Sequence, residues 1–121
     1  MKNLIRAVNK QTGGSLSQIA ADVSNYGAAG GYCGFIYYCD TVKFAEKNRV
    51  IIRAALKEIA DQLGMGWLEV ITSFQCLRGT SADEITEGVF DSESEHYQQV
   101  QNALAWFALE EAARFIVDHK K

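Results

Sequence analysis

GWLEVITSFQCLRG, residues Gly66–Gly79, decides the fold class. Val70, Ile71, Thr72 and Phe74 allow it to be read as a strand, because β-branched and aromatic residues suit strands. The spacing opposes that reading. Trp67, Val70, Ile71, Phe74 and Leu77 fall within about a third of a helical turn, which makes one apolar helix face. With this segment helical, no strand remains elsewhere, and the chain reads as all-α.

Working outward, the same period recurs. Upstream, Ile52, Leu56, Ile59 and Leu63 form a stripe that Gly64 can end. Downstream, Ser81 and Glu84 have the spacing of a capping box ahead of Ile85 and Val89. DSESE, residues 91–95, is a polar connector or a helix start. From about His96 to His119 the chain reads as one long helix. At the other end, Asn3 to Lys10 can form a short helix with Leu4 and Val8 four apart, which QTGG then breaks. Ser15 and Gln18 begin another, with Leu16, Ile19, Ala20 and Val23 on one face and Gly27 as its C′ residue. Asp40 or Thr41 can cap the helix that follows. No proline interrupts any of this. The expectation is one domain over residues 1–121, with five or six helices and a largely buried C-terminal helix.

At 121 residues the chain is long enough for a single hydrophobic core. Apolar residues make up 48%, which argues against disorder. A net charge of −3 is too mild and of the wrong sign for general nucleic-acid affinity. No apolar run approaches the roughly 20 residues of a membrane span. MKNLIRAVNKQ lacks the apolar core of a secretory signal, so a cytoplasmic location is expected. Cys33, Cys39 and Cys76 are an odd, sparse set and no disulfide framework. Five residues separate the first two, and no second close pair exists with His96, so zinc is not expected. A cysteine nucleophile would need a base, and neither histidine sits in a recognisable motif.

GAAGGYCGFIYYCDT, residues Gly27–Thr41, concentrates the unusual residues. Gly27, Gly30, Gly31 and Gly34 match neither a dinucleotide fingerprint nor a P-loop, so their role is steric. No cofactor is expected. Tyr37 and Tyr38 are adjacent and cannot face the same way. In the last helix, Val100, Leu104, Phe107 and Phe115 share a face, and Glu111 projects into its middle. Glu110 and Arg114 lie on another edge, four residues apart. A carboxylate among aromatic side chains must be hydrogen-bonded, paired or protonated. Tyr37 or Tyr38 could donate to Glu111 and pin the glycine-rich segment to the last helix. A catalytic reading makes Glu111 a general acid or base, but buried networks perturb carboxylates without any catalysis.

Charge is uneven. Of the fifteen acids, nine fall between residues 79 and 121, and no lysine or arginine occurs from Gly79 to Ala113. Asp83, Glu84, Glu87, Asp91, Glu93 and Glu95 make most of this run. Arg49, Arg53 and Lys57 form a ladder at i,i+4 beside the apolar stripe. The plain reading is two solvated faces. The sharper one is a pair of binding patches, the acidic one suited to a basic groove that normally holds nucleic acid. The basic ladder is too short to argue for direct nucleic-acid binding.

At GYCGFIYYCDTVKFAEKNR and NALAWFALEEAARFI the chain resembles a family of small proteins carried by bacteriophages, prophages and plasmids. That family shares a glycine-rich turn, an IYY-x-DT segment, a following helix and a C-terminal N-x-LAWF-x-x-E helix. The matching positions are Gly34, Ile36, Tyr37, Tyr38, Asp40 and Thr41, then Asn102, Leu104, Ala105, Trp106, Phe107, Glu110, Glu111 and Ala113. Cys33 and Cys39 fall outside the pattern. The resemblance implies no activity. It implies a setting in which small acidic helical proteins block host defences by binding a nuclease or a CRISPR effector complex. The leading expectation is therefore a non-enzymatic inhibitor of a bacterial defence system, in the host cytoplasm. Its contact would lie on Asp83, Glu84, Glu87, Asp91, Glu93 and Glu95. One alternative is a small enzyme or ligand-binding domain around Glu111, Tyr37 and Tyr38. Another is an accessory factor of phage or plasmid replication, for which a homodimer sharing the apolar last helix is one form.

Overall fold

Among the described residues, apolar stripes of the sequence become helix faces turned toward one long central helix. The computed structural model describes residues 2–11, 41–72, 77 and 79–118, apart from the side chain of Thr41. Within them the chain is all-α, with no strand. The helices are α1 (Lys2–Gln11), α2 (Thr41–Lys47), α3 (Arg49–Leu63), α4 (Trp67–Thr72), α5 (Ala82–Phe90) and α6 (Tyr97–Asp118). The expected helix from Ser15 to Gly27, and Tyr37, Tyr38 and Asp40, lie outside the described residues.

The amphipathic turns of α1 bury Leu4 and Val8, four residues apart, against α3 and α6. Asn48 separates α2 from α3. Its backbone N–H and its side-chain amide both donate to the Phe44 carbonyl, at 3.1 and 3.0 Å, while its own carbonyl accepts from Ile52. The backbone hydrogen bonds at i,i+4 thus continue through Asn48 from α2 into α3. On α3, Ile52 and Leu56 are buried, Ile59 is half-buried and Leu63 is exposed. The expected stripe therefore leaves the core in its last turn. Gly64 ends α3 at φ 66°, with its N–H on the Asp61 carbonyl and that of Met65 on the Ala60 carbonyl. This is a Schellman cap, whose left-handed residue suits glycine.

In the stretch that decided the fold class, α4 covers Trp67–Thr72. Ile71 and Leu77 are fully buried, while residues 73–76 lie outside the described set. The expected capping box opens α5. Glu84 N–H donates to the Ser81 hydroxyl and Ser81 N–H to the Glu84 carboxylate, each at 3.2 Å. DSESE proves to be a connector. Asp91 Oδ1 accepts from Glu93 N–H and the Ser94 hydroxyl oxygen from His96 N–H, so the turn satisfies itself with its own side chains.

The long helix, α6, is buried on most sides through its middle, from Val100 to Ala113. Val100, Ala103, Leu104, Ala105, Phe107, Ala108, Leu109, Ala112 and Ala113 are all interior. The other five helices all contact it, α2 and α5 most extensively. Its apolar circumference is thus covered mostly from within the chain. Its alanines let neighbours approach closely. Gly88 of α5 does the same from the other side, where Gln101, itself buried, donates to the Gly88 carbonyl at 3.2 Å. No helix among the described residues is long and apolar enough to cross a membrane.

Candidate functional site

The six acidic residues form a single tract because α5 and its connector are contiguous. Asp83 and Glu87 project from α5, Asp91 follows its last turn, and Glu93 and Glu95 sit in the connector, all exposed. Glu84 differs. It is half-buried and engaged twice, by the Ser81 cap and by His96, whose Nε2 lies 2.6 Å from Glu84 Oε2. Its hydrogen bonds with Ser81 hold its carboxyl below the ordinary range, and the His96 charge adds to this. Glu95 Oε1 lies 3.4 Å from the same imidazole nitrogen. Glu84 is therefore a structural member of the tract. The exposed carboxylates are the ones open to a partner.

Glu111 lies where the buried face of α6 emerges from the core. Val100, Leu104 and Phe107 on that face are buried, whereas Glu111 and Phe115 are half-buried. The carboxylate lines a cavity of about 420 Å³ with Glu58, Ile59, Gln62 and Arg114. Partial burial pushes its pKa up, Arg114 opposes that, and Glu110 and Asp118 add to it. Burial raises Glu110 as well, and the same Arg114 opposes. One guanidinium thus acts on two carboxyls, where the sequence pointed to a pair with Glu110. Tyr37 and Tyr38, the expected donors to Glu111, lie outside the described residues, as do Cys33, Cys39 and Cys76. Among the described residues, no group of three or more His, Cys, Asp or Glu could hold a metal ion.

The basic ladder divides by role. Arg53 turns inward, and its Nη2 donates to the Val89 carbonyl at 3.0 Å. That carbonyl lies in the last turn of α5, where carbonyls lack intrahelical partners and a cation is favoured. Its guanidinium also sits 4.9 Å from the ring centroid of Phe90, in cation–π contact. Arg53 therefore clamps the end of α5 onto α3. Arg49 and Lys57 stay exposed.

Beside this clamp is a feature that sequence spacing does not reveal. A cleft of about 390 Å³ opens between α3, α4 and α5. Leu56, Ala60 and Leu104 contribute buried surface, and Met65, Trp67 and Phe90 contribute partly or largely exposed surface. Trp67 and Phe90 meet edge to face, 6.3 Å between centroids and 88° between planes. Phe90 is nonetheless 65% exposed. Its one sequence signal is position: an aromatic at the end of an amphipathic helix, beside an acid.

No curated protein and no solved structure matches the chain. A family match does extend over residues 1–121, and the chain belongs to that family, a domain of unknown function designated DUF7222.

Proposed function

We propose that this protein is a non-enzymatic binding domain whose acidic tract docks on a basic surface of a partner protein. The observation that carries the reading is the composition of one continuous stretch of exposed chain. Asp83, Glu87, Asp91, Glu93 and Glu95 are exposed along α5 and its connector, with no lysine or arginine from Gly79 to Ala113. Such a concentration of exposed carboxylates speeds encounter with an oppositely charged partner and disfavours like-charged ones. The cap and the His96 contact of Glu84 hold the tract on an ordered helix end, which limits the entropy lost on binding. The resemblance to proteins of phages and plasmids supports a target class: a nuclease or nucleoprotein effector of bacterial defence, whose basic groove the tract would occupy. Charge reversal tests this. The chain and a variant with Asp83, Glu87, Asp91 and Glu93 changed to lysine are each used to capture proteins from bacteria carrying defence systems. The expected result is a stoichiometric nuclease or effector subunit on the unaltered chain, released at high salt and absent from the variant. Equal capture by the variant at low salt overturns the reading.

A further inference from the structure

We propose that the cleft between α3, α4 and α5 binds a small aromatic anion, a flat ring carrying an acid group. Its volume of about 390 Å³ falls in the range of about 300–1,000 Å³ typical of small-molecule sites. The lining is mainly apolar, with Leu56 inside and Trp67 and Phe90 at the rim. Because the two rings are perpendicular, they offer an incoming ring both a face and an edge, the arrangements aromatic pairs favour. Phe90 at 65% exposure has apolar surface to gain by being covered.

The charge of the wall selects the ligand. Arg53 and Lys57 occupy successive turns of α3 along the cleft, and Asp61, one turn further, is the sole acid among its described lining residues. Glu87 and Asp91 neighbour Phe90 on the acidic tract but do not line the cleft. Arg53 supplies an independent observation. Its Nη2 is committed to Val89, yet its Nε–H is buried without an acceptor among the described residues. A guanidinium presents several N–H groups in one plane, suited to a carboxylate or sulfonate. The Phe90 ring centroid lies 4.9 Å from that guanidinium, and both residues line the cleft. An acid group entering beside Phe90 would meet Lys57 and the remaining donor of Arg53, while its ring lies against Trp67.

The test uses the whole folded chain and two fluorescent probes. One is 1-anilinonaphthalene-8-sulfonate. The other is N-phenyl-1-naphthylamine, which has the same rings without the sulfonate. One sulfonate probe per chain is expected, bound about tenfold more tightly than the uncharged probe. Lys57→Glu is expected to remove that preference. Phe90→Ala is expected to weaken both probes about fivefold. Lys57 is exposed, so the thermal midpoint of that variant should hold, whereas Phe90→Ala gives up the contacts with Arg53 and Trp67 and should lower it slightly; circular dichroism checks that the fold is kept in both. No binding, equal affinity for the two probes, or affinities unchanged in both variants would each overturn the proposal. These readouts involve no partner protein, so they stand or fall apart from the acidic-tract reading.

Discussion

A methyl group on Gly88 would lie 2.5 Å from Val100 Cγ2, 2.9 Å from the His96 carbonyl oxygen and 3.0 Å from Val100 Cβ. Here the backbone of α5 approaches α6 more closely than any side chain allows. In an open helix, glycine to alanine would gain about 1 kcal/mol of propensity. The clash at this position outweighs that gain, because overpacking costs about 1–3 kcal/mol and one obstacle is backbone. Gly88→Ala is therefore expected to lower stability by about 1–2 kcal/mol in urea denaturation. Val100→Ala alone also destabilises, by leaving a cavity, but the two changes share one space. The double variant should lose less than the sum of the singles, and strict additivity would count against the close-approach account. None of this was legible in the sequence, where Gly88 reads as a mild weakness in a short helix. Arg53 teaches the same lesson. Periodicity put it on a basic ladder, but its acceptor is 36 residues away, on the end of another helix. Local spacing can show a residue's face, not what that face meets.

Signals confined to one helix were the readable ones. The α5 cap needs only residues three apart, and both of its reciprocal hydrogen bonds form. The length of α6 follows from an apolar run too wide for a surface helix, and its burial by the other five helices is the consequence. The stripe on α3 was readable for its first turns but not for its last, because only packing decides where a stripe leaves the core. Leu63 has the right period and is exposed. The cleft was unreadable because Trp67 and Phe90 belong to different helices and meet only when α4 packs on α5. The cap itself can be tested. Ser81→Ala removes one acceptor at the N-terminus of α5 and should cost about 1 kcal/mol of stability. It should also let the Glu84 carboxyl rise toward its ordinary range, since hydrogen bonding to Ser81 is the main cause of its depression. A carbon-detected titration of the Glu84 side chain would read this. An unmoved Glu84 would mean that His96, not the cap, holds it.

For the molecule as a whole, stability couples to pH through the two carboxyls where α6 leaves the core. Glu110 and Glu111 both have folded-state pKa values above the ordinary 4.5, chiefly through burial. A group raised on folding binds more protons in the native state than in the unfolded one, so stability falls as pH rises through that interval. The penalty is absent well below 4.5, where both states are protonated. It is fully present above the folded values, where both are ionised. Glu84 acts oppositely. Its depressed value contributes stability above the unfolded value, lost as pH falls. Glu111→Gln removes one of the penalised charges and keeps the shape. It also withdraws a repulsive neighbour of Glu110, while Arg114 remains beside it. Because Glu111 is half-exposed, solvent screening limits the effect to less than about 1 kcal/mol. Urea denaturation at neutral pH should find the variant slightly more stable than the unaltered chain, with the difference vanishing below pH 4. A variant less stable at neutral pH would mean that the ionised Glu111 holds the end of α6 through Arg114. The cavity it lines would then be built around an ion pair rather than a strained carboxylate.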